Sequence, residues 1–250
     1  GNYSGIQTLD WSIGKVVLTV TADDKTVTYG DDRPDLTVSY DGFVDGEDET
    51  VLGGSLDIGT TYDRWSDVGT YPITVTGYTS GNYDIEFVDG TVSVNPATFT
   101  IEVSGTYVYS GVEQTVDYTV TGVGTMVLGR DYTVTGERYT GAGDYTLTVT
   151  GAGNYTGIKT EGWSIVKKVL TIAVDSETVT YGDPTPVFTM SYDGFVNGED
   201  RSVLGGTPIF GTDYVAGSPI GTYPVSVSGY TSDNYSILYS MGILTVEPAP

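Results

Sequence analysis

Four acids crowd one short stretch: Asp41, Asp45, Glu47 and Asp48, in Tyr40-Asp41-Gly42-Phe43-Val44-Asp45-Gly46-Glu47-Asp48. Calcium takes several oxygen ligands, and carboxylates gathered this closely are the donors it prefers. The spacing departs from the EF-hand loop, and the matching stretch Asp193–Asp200 has Asn197 where Asp45 stands. A capped short turn with solvated acids accounts for the same residues. No metal site is therefore assigned, and these four acids are the candidates for one. Other chemistry is narrower. With no His and no Cys, the chain lacks the parts for Ser-His-Asp or Cys-His catalysis and for thiolate metal sites. Glycoside-cleaving carboxylate pairs could be drawn from 33 Asp and Glu, but most of these acids fall in turns such as Asp23-Asp24 and Asp31-Asp32. The sequence reads as non-enzymatic, with no cofactor.

Aromatic side chains are the other resource. Most of the 21 tyrosines fall at alternating strand positions or in Asn-Tyr hairpins, where a ring packs and its hydroxyl reaches a backbone partner. Trp11 and Trp163 occupy apolar strand positions. Trp65 differs, because Asp63-Arg64-Trp65-Ser66-Asp67 lies in the stretch that varies most between two otherwise matching regions, and Gly217 takes its place in the other. Trp65 is the candidate ligand-contact residue. Lys15 and Lys167, with Asn82 and Asn234, supply the partners of an internal Lys–Asn cross-link, although nothing in the sequence brings them together. The Asn-x-Ser/Thr sequons at Asn2, Asn154 and Asn234 follow from the Asn-Tyr hairpin itself.

The elements that position these residues are duplicated. Residues 15–98 return at 167–250 without insertion or deletion, so that Tyr29 answers Tyr181, Tyr83 answers Tyr235 and Pro96 answers Pro248, each 152 positions apart. A period this long signals whole modules in tandem. The segment 97–166 carries the same Gly-x-Tyr strand and Asn-Tyr hairpin and reads as a shorter cousin. Gly1-Asn2-Tyr3 through Trp11-Ser12-Ile13 match Gly153-Asn154-Tyr155 through Trp163-Ser164-Ile165 at the same offset. The expected organisation is 1–14, the C-terminal hairpin of a truncated short-type module; 15–96, a long module; 97–166, the short module; and 167–250, the second long module. An orphan hairpin invites pairing, so residues 1–14 are expected to contact the first long module or another chain.

Thr, Val, Tyr, Gly and Asp dominate, which favours strands and tight turns. Tyr71, Ile73 and Val75 alternate with small or polar residues, as do Tyr145, Leu147 and Val149, and Tyr223, Val225 and Val227. Asp45 or Asn197 caps an expected helix of one to two turns, closed by Gly53-Gly54 or Gly205-Gly206. Pro72 and Pro224 are expected on edge strands. The fold class is all-β: small tandem β-sandwiches with immunoglobulin-like layering in an elongated array. The alternative is a β-grasp-like long module with the short helix across its sheet.

A net charge of −23, from 10 basic against 33 acidic residues, argues against nucleic acid and against anionic membrane surfaces. No apolar run is long enough to insert into a membrane. The motifs Tyr29-Gly30-Asp31, Tyr40-Asp41-Gly42-Phe43 and Gly69-Thr70-Tyr71-Pro72, with their copies at Tyr181, Tyr192 and Gly221, resemble the MBG-type (YGX-like) repeat domains of bacterial surface proteins. The short module, with Leu128-Gly129-Arg130-Asp131-Tyr132 and Gly153-Asn154-Tyr155-Thr156-Gly157, is similar to repeats interspersed with them. The resemblance implies an all-β module of an exported, adhesin-like protein at the bacterial cell surface. It carries no catalytic residues to transfer. The expected role is a structural stalk or spacer; the alternative is a multivalent binder of host glycan or glycoprotein.

Overall fold

The computed structural model describes all 250 residues, Gly1–Pro250, and every regular element except two single 3-10 turns is a strand. The chain divides into two compact units. One comprises Gly1–Thr100, Thr121–Thr133 and Thr150–Ile158; the other comprises Ile101–Val120, Val134–Val149 and Lys159–Pro250.

In the first unit the long module holds β1 (Val16–Ala22), β2 (Lys25–Thr28), β3 (Val38–Asp41), β4 (Gly53–Thr60), β5 (Gly69–Thr79), β6 (Tyr83–Val88) and β7 (Gly90–Asn95). They form a three-stranded sheet, β3-β1-β6, and a four-stranded sheet, β2-β7-β5-β4. Period-two alternation turns Leu18, Val20 and Ala22 from one sheet and Ile73, Val75, Val92 and Val94 from the other into a common core, joined by Tyr62 and Tyr83. Two sheets closed on one core make a β-sandwich. The pairings β1 with β6 and β2 with β7 are parallel, which the strand pattern alone did not reveal.

The segment between the long modules supplies β8 (Thr100–Ser104), β9 (Tyr107–Val108), β10 (Gln114–Thr115), β11 (Asp117–Thr121), β12 (Tyr132–Thr135), β13 (Arg138–Tyr139), β14 (Gly143–Gly151) and β15 (Ile158–Val166). In the second unit, Leu147, Val149, Trp163 and Ile165 are buried, and the Trp163 ring gathers Tyr107, Tyr139 and Tyr145 around it. The Trp163 indole N–H donates to the Gly136 carbonyl at 3.0 Å, so this buried ring keeps its polar atom satisfied. The chain passes from β15 to β16 (Lys168–Val174) across a single residue. There follow β17 (Glu177–Thr180), β18 (Met190–Asp193), β19 (Gly205–Thr212), β20 (Gly221–Thr231), β21 (Tyr235–Ser240) and β22 (Gly242–Glu247). These repeat the first sandwich as β18-β16-β21 and β17-β22-β20-β19.

Four expectations need correction. The helix is one 3-10 turn in each copy, Glu49–Val51 and Arg201–Val203, with no buried residue. Its caps are Asp48 and Asp200, while Asp45 and Asn197 take positive φ of 48° and 52° just ahead. The glycine pairs begin β4 and β19 instead of closing the turn, and a turn this short cannot cover a sheet as a β-grasp helix does. Pro72 and Pro224 lie on interior strands, β5 and β20. Each stands just beyond the reach of its outer neighbour, whose pairing stops at Ile73 or Val225, so the missing N–H interrupts no ladder on that side. Within this chain, residues 1–14 form no strand and are exposed throughout, with Ile6 at 95% and Trp11 at 80%. The counterpart of residues 6–14, 158–166, is a strand held between β14 and β9, with Trp163 received by the aromatic cluster.

Candidate functional site

Two of the four acids of the candidate metal loop already hold hydrogen bonds. Asp48 accepts from the Thr50 amide at 3.0 Å and caps the turn. This hydrogen bonding, led by the Thr50 hydroxyl, holds the Asp48 carboxyl below its usual range. Glu47 accepts the Tyr83 hydroxyl proton, and Asp45 sits in the left-handed region. No group of three or more acids is gathered as a metal site. A cavity of about 590 Å³ in the second unit includes Glu102 and Glu161 among its lining, but both are exposed to water.

Tyrosine hydroxyls do reach backbone partners. Tyr62 donates to the Asp31 carbonyl at 2.7 Å and its counterpart Tyr214 to Asp183 at 2.6 Å. Tyr71, Tyr145 and Tyr223, which open the three equivalent strands, each donate to a carbonyl four residues earlier, at 2.7–2.8 Å.

In the first unit, Tyr29, Trp65 and Tyr155 build a seam between the long module and the hairpin of the middle segment. Trp65 and Tyr155 meet Tyr29 edge-on, with ring centres 5.9 and 5.6 Å away. The Arg64 guanidinium lies 5.4 Å from the Trp65 ring centre, and the far edge of the indole leaves only 3.3 Å to where a Cβ on Gly124 would be. Trp65 is thus half exposed, at 52%, and half committed to contacts within its own unit. Asn154 closes the seam: its amide donates to Asp67 at 2.7 Å and its carbonyl accepts from the Val68 N–H at 2.9 Å. Beside it, Asp131 is only 3% exposed and accepts two hydrogen bonds from Arg130 and one from the Val127 amide. The Arg130 hydrogen bond outweighs burial and holds the Asp131 carboxyl below the usual carboxylate range.

The second unit has a different seam. Tyr109, 5% exposed, donates to Glu199 Oε1 at 2.5 Å, and its ring meets Tyr235 edge-on at 5.4 Å. Tyr235 donates to the other oxygen of that carboxylate. Asn234 accepts from the Ala142 amide at 2.9 Å, and Asn197 donates to the Gly111 carbonyl at 3.0 Å. The hydrogen bond to Glu199, with burial behind it, pushes the Tyr109 phenol up to about 12.

Sequence reasoning singled out Trp65 as a ligand contact, where the structure shows it packed on Tyr29 within its own unit, and it missed Tyr109, Glu199 and Asn154. The available signal was the alignment of Tyr109 with Tyr29, and it did not say which surface either ring would meet. Lys15 and Lys167 reach the carbonyls of Ser80 and Ser232, at 2.9 and 2.7 Å.

The MBG domain (YGX type) family matches residues 18–93 and 170–245, the body of each sandwich and more than half of the chain. The chain belongs to this family. No curated protein matches the chain. Among solved structures, three N-terminal domains of the bacteriophage RB49 Highly Immunogenic Outer Capsid protein are 13% identical. That match covers 94% of this chain and 99% of that one, with a TM-score of 0.28. The Escherichia coli adhesin FdeC is 12% identical, with 95% and 100% covered and a TM-score of 0.28. No helix of these MBG repeats is long and apolar enough to cross a membrane.

Proposed function

We propose that these MBG repeats, with the short module 97–166 between them, are non-catalytic stalk or spacer modules of an exported, adhesin-like bacterial surface protein. The observation that carries this reading is where the polar chemistry goes. Asn154, Asp67, Tyr109, Glu199, Asn234 and Asn197 all spend their hydrogen bonds on seams that join a long module to the middle segment. The residue types that would build a polar ligand site are used to tie neighbours together. Hydrogen bonds to a carboxylate contribute about 1.5–3 kcal/mol each, so a few of them stiffen the junction they cross. The net charge of −23 keeps such modules apart from one another in solution.

The exposed half of Trp65 favours one second reading, a multivalent contact with host glycan or glycoprotein. Repetition would raise the avidity of a weak site, yet Gly217 replaces Trp65 in the second copy, so this site is not repeated. A glycan array probed with the whole chain separates the two readings. The spacer reading expects no reproducible signal; binding that disappears in Trp65→Ala would replace it with the binder.

A further inference from the structure

The Tyr109 seam has an unfilled twin. Every long-module residue in it has a counterpart 152 positions earlier: Asp45 for Asn197, Glu47 for Glu199, Asn82 for Asn234 and Tyr83 for Tyr235. The inner part is already assembled. Tyr83 is buried, donates to Glu47 Oε2 and accepts from the Val44 amide at 3.1 Å, as Tyr235 accepts from Val196 at 3.1 Å. What differs is the outer part. Glu199, Val196 and Asn234 are half-buried, whereas Glu47, Val44 and Asn82 are exposed, and Glu47 Oε1 has no protein donor. A cavity of about 410 Å³ opens there, lined by Val16, Val44, Glu47, Asn82 and Tyr83 among others.

We propose that this cavity is a docking socket for the tyrosine-bearing edge of a further module of the 97–166 type. A phenol enters it as Tyr109 enters the second unit's socket: hydroxyl to Glu47 Oε1, ring edge-on to Tyr83, and a backbone N–H to the Asn82 side chain. One position sets the strength of docking. Asn197 donates to the Gly111 carbonyl, but Asp45 only accepts, so a module of the 97–166 type lacks that bond at this socket. The inference does not depend on the choice between spacer and binder.

The test extends the intact chain by placing residues 97–152 ahead of Gly1, where the sequence from 153 onward already matches 1–14. Amide exchange at Val44 and Asn82 is then followed by NMR. Docking is expected to slow Val44 exchange about tenfold, the factor that a hydrogen bond to a charged group commands. Tyr→Phe at the added copy of Tyr109, or Glu47→Gln, is expected to reverse the change, and Asp45→Asn to enhance it. Exchange that ignores all three substitutions, while Tyr109→Phe in the parent chain accelerates exchange at Val196, overturns the proposal.

Should the extended chain not fold, N-acetyltyrosinamide titrated into the unextended protein gives a second test. Saturable shifts at Val44 and Asn82, with Val196 and Asn234 unmoved, support the socket. Shifts at both pairs or at neither overturn it.

Discussion

The two long modules are one scaffold with different neighbours, and the neighbours decide what each surface residue does. Leu18 and Leu170, Ile73 and Val225, and Tyr62 and Tyr214 are equally buried in their two sandwiches. Tyr29 and Tyr181 are not equal: the first is half-buried beneath Trp65 and Tyr155, and the second is 51% exposed over a cavity lined by Gly217, Pro219 and Ile220. The reverse holds at the other end, where Glu199, Val196 and Asn234 lie half-buried beside Tyr109 while their counterparts Glu47, Val44 and Asn82 are exposed around a cavity. Each copy therefore displays at one end the surface that the other copy has covered. A residue's burial in this chain belongs to the seam as much as to the module.

That contrast can be broken most forcefully in the cores. Leu18→Ala and Leu170→Ala should each cost about 2–5 kcal/mol, by equal amounts, because both side chains are fully buried in matching sites. Denaturant melts that give unequal losses would show that the scaffolds are not equivalent.

The glycines isolate the seam itself. Gly30 and Gly182 share a φ near +90°, a conformation costing about 1–3 kcal/mol for a side-chain-bearing residue. A Cβ at Gly30 would also sit 2.3 Å from Val123 Cγ1, while at Gly182 it meets nothing within 4 Å. Gly30→Ala should therefore cost more than Gly182→Ala by about 1–3 kcal/mol of overpacking. Equal costs would mean that the seam yields freely.

Titration sharpens the comparison next. The Tyr109 phenol holds its proton up to about 12, while an unfolded tyrosine loses it near 10. Stability from this group is complete below pH about 10 and is lost as pH rises from there through the folded value. Tyr109→Phe should flatten that alkaline loss in a series of melts against pH. Asp131 works the other way. Its lowered folded value contributes stability above the ordinary carboxylate range, near 3.9, and that stability goes as pH falls through the folded value. Asp131→Asn should remove this part of the acid dependence.

The smallest effect belongs to Arg64, whose ion pair with Asp32 at 3.1 Å lies in water. Arg64→Ala, which copies Ala216 of the second module, should change stability by about 0–1 kcal/mol.

The strand alternation at Tyr71–Val75 and Tyr223–Val227 made the sandwich faces legible from sequence, because burial on one face of a strand writes itself with period two. Duplication made the second sandwich legible as a copy of the first. Parallel pairing of β1 with β6 left no such mark, since either direction buries the same residues. Helical expectation failed at 45–54 for a physical reason: Asp45 adopts a left-handed backbone, which starts a turn over and leaves room for only three residues after Asp48. Trp65 stood out by its variability, whereas Tyr109 and Asn154 looked like ordinary repeat landmarks. Their roles depend on which module stands opposite, and no local pattern encodes that.

The parallel pairings β1 with β6 and β2 with β7 bear on how such a module responds to tension. The chain enters through β1 and β2 and leaves through β7, so a pull on its two ends slides β2 and β7 past each other lengthwise. A ladder loaded in shear must break its bonds together, where one peeled from an end gives them up singly. Rupture then follows the unfolding rate instead of the equilibrium stability. A module of quite ordinary thermal stability, with no cysteine to cross-link it, can for this reason still be a mechanically stubborn one.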